Sequence, residues 1–235
     1  MISEPIGPAF NRLLEALPAR DRERLLGRCE NVSLAVSQVL CEPGDALRHI
    51  HFPTSAFVSQ VATVDGHEGL QTEMIGNEGA FGYELAFDVS QARLRTLVQG
   101  AGMAWRLTAK SLQQELRQSA ALKRVLNRYV CVLLLQSGRS GACSRLHRVE
   151  ERLARWLLTA EDCAHSPHLA FTHVFLAHML GVRRVGITNA ATALQLRRLI
   201  DYRRGVITVI DRAGLEALAC GCYRANLDTY ARLMG

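Results

Sequence analysis

The chain of 235 residues has no apolar run long enough to span a bilayer; the longest, Val130–Leu135, falls far short of the roughly 18–20 residues required. The opening MISEPIGPAFNRLLEAL carries acids early and lacks the basic-then-apolar order of an export signal, so a cytoplasmic location and no membrane partner are expected. Equally missing are a nucleophile elbow, a phosphate-cradling glycine loop and carboxylates paired at useful spacing, so no enzyme is expected. There is no redox C-x-x-C either. The seven cysteines are an odd number in a chain too large to need disulfide staples, and Cys220 and Cys222 form only C-x-C; most read as small buried hydrophobes. Aromatic residues make up only 6%, yet 49% of the chain is hydrophobic, an ordinary globular composition sufficient for one large or two modest cores.

What is present is unevenly spread. The net charge is +6, but residues 1–144 hold 15 bases against 14 acids, whereas residues 145–235 hold 13 against 8. Within 172–204 there are six arginines and a single acid, Asp201. A basic C-terminal third is what a nucleic-acid-binding module needs, because phosphate neutralisation supplies much of its affinity; a solvated basic face gives the same count.

Pro8–Arg28 reads as an amphipathic helical segment interrupted by Pro18, with Leu13, Leu14, Leu17, Leu25 and Leu26 forming its apolar stripe. From Cys29 to Leu107 short β-rich runs follow: Val36–Leu40, His49–Phe52, Phe57–Thr63, Leu70–Ile75, Leu94–Val98 and Met103–Leu107. Turn residues separate them, including Pro43-Gly44-Asp45, Asp65-Gly66 and Gly76-Asn77, and the close spacing predicts an antiparallel barrel, roll or sandwich. Helical character returns at Thr108. Leu122, Val125, Tyr129, Val132 and Gln136 recur at spacings of three and four, a seam suited to packing against another helix or against the chain's own core. Gly138, Ser140 and Gly141 weaken the helix beyond it and predict a hinge. Val149–Glu161 is again strongly helical.

Residues 173–195 carry the most specific pattern. A helix-turn-helix crosses two helices over a short turn that favours glycine, since glycine accepts positive φ cheaply. Gly181 stands there, the small Ala177 lies one turn earlier, and Leu176, Leu180, Val182, Ile187 and Ala190 supply the inward apolar positions. Leu199–Tyr202, then the basic turn Arg203-Arg204-Gly205, then Val206–Ile210 read as strand, turn and strand, which is a wing, and Asp211 as the N-cap of a closing helix. The fold class predicted is α+β: an N-terminal antiparallel β-roll (1–110), a long helix and hinge (111–143) and a C-terminal winged helix-turn-helix (144–235).

Taken together, the roll, the long helix, the VEERLARWLL segment and the winged helix resemble the Crp/Fnr superfamily of bacterial transcription regulators, most strongly over Arg148–Leu158, Phe175–Ala191 and Gly205–Leu218. The resemblance implies a homodimer that binds a pseudo-palindromic operator on double-stranded DNA, with Leu122–Gln136 as the dimer contact, and RNA polymerase as a partner if it activates. Arg183, Arg184, Gly186, Thr188 and Asn189 then belong to the recognition helix, with arginine suited to guanine and asparagine to adenine. Thr172 and His173 would offer backbone N–H groups to a phosphate, and Arg203 and Arg204 would reach the DNA backbone from the wing. One departure is plain: the well-known branch has an Arg-Glu pair and a second Arg here, whereas this chain reads Arg184-Val185-Gly186-Ile187-Thr188-Asn189, so its operator is its own.

The signal is less legible. Phe81-Gly82-Tyr83-Glu84 places Tyr83 where cyclic-nucleotide binders of the family have a glutamate, and Arg93-Leu94-Arg95-Thr96 lacks their Arg-Ser pair. Gly82, Glu84, Arg93, Arg95 and Thr96 are therefore weak effector candidates, in a branch that does not resemble the nucleotide binders. Cys29 and Cys41 are too sparse for an iron–sulfur cluster; His49, His51 and His67 are the candidate haem ligands, and isolated histidines are mostly structural. Cys163, His165 and His168, with Glu161, have a spacing open to Zn²⁺, although a polar loop is the simpler reading. No cofactor and no metal are expected. The competing function is a dimeric ligand- or metal-sensing scaffold whose basic winged helix binds DNA non-specifically or binds a protein.

Overall fold

The computed structural model describes residues 10–64 and 67–235, leaving aside the side chains of 64–68. The start of the predicted Pro8–Arg28 segment, the Asp65-Gly66 turn and the His67 side chain lie outside the described residues.

Asn11 opens the first helix of the described residues. Its side chain accepts from Leu13 and Leu14 N–H, capping α1 (Arg12–Glu15), and donates to the carbonyls of Pro53 and Gly79. Pro18 then precedes α2 (Ala19–Leu26), where its missing N–H costs nothing. Among the described residues, seven strands build the roll: β1 (Glu30–Leu34), β2 (Val39–Cys41), β3 (His49–Pro53), β4 (Phe57–Val64), β5 (His67–Ile75), β6 (Arg95–Gly100) and β7 (Gly102–Thr108). They form two antiparallel sheets, ordered β1-β7-β3 and β2-β6-β4-β5. A short 3-10 turn at Tyr83–Phe87 crosses between β5 and β6.

Thr108 caps α3 (Ala109–Gln118), and Ser119 caps α4 (Ala120–Leu146), accepting from Leu122 N–H at 3.0 Å while donating to Asp21 at 2.7 Å. Two sequence expectations change here. Leu122, Val125, Tyr129 and Val132 are buried within their own chain, where all but Val132 join Leu13, Leu14, Ile50, Phe52 and Leu107 in one core, so the chain itself covers this seam as far as Val132, and Gln136 stays half-exposed. Periodicity shows that a face is buried; it does not show by what. Nor does α4 break at Gly138–Gly141: it runs on to Leu146, and the chain turns at His147, because the exposed glycines lie in a helix otherwise held by packing along its length.

The C-terminal part starts with α5 (Val149–Ala164), where Glu151 accepts from the Arg148 N–H at 3.2 Å. β8 (His168–Leu169), α6 (His173–Leu180), α7 (Arg184–Leu196), β9 (Ile200–Arg203), β10 (Val206–Val209), α8 (Arg212–Leu218) and α9 (Cys222–Met234) complete it. The wing is the antiparallel sheet β8-β10-β9. The domain core of Leu153, Trp156, Leu157, Leu176, Ile187 and Leu194 also takes in Phe57 and Val61 of the roll. Trp156 Nε1 donates to Gln71 Oε1 at 3.0 Å across the same contact. α9 then packs back along α4, and Tyr230 donates to the Glu78 carbonyl of the roll at 2.7 Å.

Candidate nucleic-acid interface

Gly181 ends α6 at φ 62°, and the Val182 N–H returns to the Ala177 carbonyl at 3.0 Å. This is the left-handed close that glycine makes at least cost. Leu176, Ala177, Leu180, Ile187, Ala190 and Leu194 interlock at the crossing, all buried. With those positions inward, the helical period turns Arg184, Val185, Thr188, Asn189 and Thr192 outward, and Arg183 stands exposed at the N-cap. Gly186 is half-buried, with open space where a Cβ would sit. Thr192 and Gln195, exposed on the same helix, were not among the sequence candidates; the outward arc at i+4 from Thr188 was the signal that pointed to Thr192.

Three contacts set this face in place. His173 Nδ1 lies 3.1 Å from Thr188 Oγ1, and Thr188 Oγ1 donates to the Arg184 carbonyl at 3.2 Å. The His173 ring stacks on Tyr202 of β9, centroids 4.3 Å apart and 19° between planes. Burial, then the charge of Arg184, lowers the His173 pKa, which favours the neutral ring. His173 is thus placed between both helices and the wing. Thr172 uses its hydroxyl to cap Phe175 N–H at 3.1 Å, while the first-turn N–H groups of α6 have no intrahelical acceptor.

The wing closes on Arg204 and Gly205, with φ of 51° and 83°, joining the paired residues Arg203 and Val206. Two successive positive φ values match the twist of a tight hairpin. Arg203 and Arg204 are exposed, and Arg203 Nε rests 2.9 Å from Asp201. Asp201, the single acid of this stretch, also accepts from Gln195 at 3.4 Å, linking the end of α7 to the wing. Arg198, exposed at φ 58°, adds a cation between them that the sequence reading passed over.

The effector candidates divide. Gly82, Glu84 and Thr96 line a cavity of about 160 Å³ in the roll together with His49, His51, Gln60 and Phe81. Arg93 and Arg95 do not line it: both are exposed, and Arg95 pairs with Glu42 at 3.2 Å. A pocket for a drug-sized ligand runs to about 300 Å³ or more, and this cavity is smaller. His51 stacks on Phe81 at 4.3 Å, and burial pushes its pKa down to about 3.

The Cys163, His165 and His168 grouping does not converge. Cys163 is buried in the domain core, His168 Nδ1 faces Thr208 Oγ1 at 3.1 Å, and Glu161 is held by Arg212 at 2.8 Å.

The described residues thus form a β-roll joined through a long helix to a winged helix-turn-helix. Residues 151–218 match the Crp-like helix-turn-helix domain. No curated protein matches the chain by sequence. FixK2 from Bradyrhizobium japonicum superposes with a TM-score of 0.69 at 14% identity, over 82% of this chain and 98% of that one. CLP, the c-di-GMP responsive global regulator of Xanthomonas campestris, gives 0.64 at 18% identity, over 82% and 99%. A CRP/FNR-family transcriptional regulator from Thermus thermophilus, TTHA1359, gives 0.63 at 21% identity, over 81% and 98%. The chain carries a Crp-like helix-turn-helix domain within the fold that these solved structures share, as its sequence resemblance implied.

Proposed function

We propose that this chain is a homodimeric, sequence-specific DNA-binding regulator whose α7 enters the major groove. The observation that carries the reading is the exposed arc of Arg183, Arg184, Thr188 and Asn189 beside an arginine-tipped wing. On an inserted helix, Arg184 and Asn189 reach base edges, where a bidentate arginine–guanine or asparagine–adenine pair discriminates by about 1–3 kcal/mol. Arg203 and Arg204 reach the phosphates and add affinity without sequence information, with the first-turn N–H groups of Thr172 and His173's helix doing the same from α6. Val185, 61% exposed, stands where the known branch has a charged reader and suits a thymine methyl.

For the dimer, the free face of α4 replaces the buried seam. Asn127, Cys131, Leu134, Gly138 and Ala142 are exposed along one side, with Leu134 at 68% and Leu135 at 52%. Two such helices side by side would cover the leucines and set two recognition helices about 34 Å apart, one turn of DNA.

The test is a mobility-shift titration of the protein with DNA from upstream of its own gene, across salt concentrations and with bulk DNA as competitor. One sequence is expected to survive competition at moderate salt. If none does, the basic surface binds DNA only through its charge and the regulator reading falls.

A further inference from the structure

Away from the DNA face, three cysteines and a histidine from distant parts of the chain meet at the joint between α4 and the DNA-binding domain. Cys143 lies in the last turn of α4 and His147 four residues on, just past its end, so both look out from one side of the helix. Cys220 and Cys222 flank the turn into α9. Cys143 Sγ is 3.5 Å from Cys220 Sγ, and Cys222 Sγ is 3.7 Å from His147 Nδ1. All four ligand atoms lie within 4.8 Å of one another, the single such group of metal-binding side chains among the described residues.

The three sulfurs are buried and form a cluster of their own, separate from the larger apolar cores. Three thiols packed only on each other make poor hydrophobic core, but they are a ligand set. Zn–S distances of about 2.3 Å and Zn–N of about 2.0–2.1 Å give tetrahedral edges of about 3.4–3.8 Å. The Cys143–Cys220 and Cys222–His147 separations lie within about 0.3 Å of those edges, and side-chain rotations would close the rest.

We propose that Cys143, His147, Cys220 and Cys222 form a closed structural site for Zn²⁺ that ties the long helix to the DNA-binding domain. On binding, the three thiols lose their protons to solvent, three Zn–S bonds form, and His147 Nδ1 donates its lone pair as the fourth ligand. The bound cluster carries one net negative charge, and two cations face it. Arg155 acts on Cys143 and Cys222, and Arg152 on Cys143 and Cys220. The Nε atoms of both arginines are buried without a hydrogen-bond partner. Arg152 also donates to the Ser144 carbonyl at 3.4 Å and to the Leu180 carbonyl, the last residue of the first helix of the helix-turn-helix. The site thus has a material connection, through one guanidinium, to the turn that sets the recognition helix.

The experiment is metal analysis of the full chain purified under reducing conditions, followed by removal of the metal and titration with Zn²⁺ or Co²⁺ alone. One Zn²⁺ per chain should survive dialysis, and Zn²⁺ added to the metal-free chain should release protons, up to three per chain. Co²⁺ should give thiolate charge-transfer and tetrahedral bands. Cys220→Ser should lose stoichiometric metal, and Cys131→Ser, on the exposed side of α4, should keep it. His147→Gln, the mildest change, should retain its fold and weaken Zn²⁺ binding at least tenfold against a chromophoric chelator, since even residues behind the ligands cost about 10–100-fold. Absence of metal uptake, uptake unchanged in Cys220→Ser and His147→Gln, or a Cys143–Cys220 disulfide in the freshly isolated chain overturns the proposal. None of these readouts depends on DNA binding.

Discussion

His173 Nδ1 and Thr188 Oγ1 are 3.1 Å apart, a bond between the first residue of one helix and the outward face of the next. Because His173 also stacks on Tyr202, the ring fixes the rotation of α7 relative to the wing. His173→Ala removes one hydrogen bond at a partly exposed site, worth about 0.5–1.5 kcal/mol. The expected result is a stable protein whose operator affinity falls by about 2- to 13-fold in fluorescence anisotropy. Equal affinity for operator in wild type and variant would show that the ring positions nothing that DNA reads.

Arg184 and Arg204 should fail in different ways. Arg184→Ala is expected to lower discrimination at one base pair by about 1–3 kcal/mol, or about 5- to 150-fold, with the melting midpoint unchanged because the side chain is exposed. Arg204→Ala is expected to weaken binding to all sequences and to reduce the slope of log affinity against log salt by about 0.9. A salt series on matched and mismatched duplexes separates the two.

Gly181→Ala combines two penalties. The residue sits at φ 62°, and an added Cβ would lie 2.8 Å from Leu70 Cδ1 of the roll. The left-handed conformation alone costs alanine about 1–2 kcal/mol, and a chain of this size loses about 2–4 °C of melting temperature per kcal/mol. A drop of at least a few degrees in calorimetry is expected; no drop would mean that the turn relaxes freely.

Glu73 supplies a pH signature. Burial, then the nearby Glu78 charge, raises its pKa to about 8, so the folded chain keeps a proton that the unfolded chain releases in the ordinary carboxylate range. Between those two pKa values the native state binds more protons at this site, and the contribution of Glu73 to stability therefore falls as pH rises through that window. Glu73→Gln should flatten this fall in chemical denaturation from pH 5 to pH 8 and be more stable than wild type at the upper end. A parallel curve for the variant would remove Glu73 as the cause.

The helix-turn-helix and wing were legible in sequence because their constraints are local: Ala177, Gly181 and the inward apolar residues fall at fixed offsets, and Arg204-Gly205 sits between alternating strands. β1 was missed because ENVSL, with only Leu34 buried, has no apolar alternation to read. Ser37, at φ 67°, turns the chain inside the predicted Val36–Leu40 run and shortens that strand to Val39–Cys41. The face of α4 was visible as a pattern but its partner was not, since identical spacing serves a core and a second chain. The Cys143, His147, Cys220 and Cys222 group was invisible for a different reason. Its halves lie 77 residues apart at Cys143 and Cys220, and only the return of α9 along α4 brings them together.

Arg204 occupies a backbone conformation that disfavours any residue with a Cβ, at the tip of a hairpin only two residues wide. A charge mounted that way is not a tether that gropes for phosphate. It is a fixed gauge: the distance from the wing tip to the outward arc of α7 belongs to the fold, so on the proposed reading the span between backbone and base contacts is set before any DNA arrives.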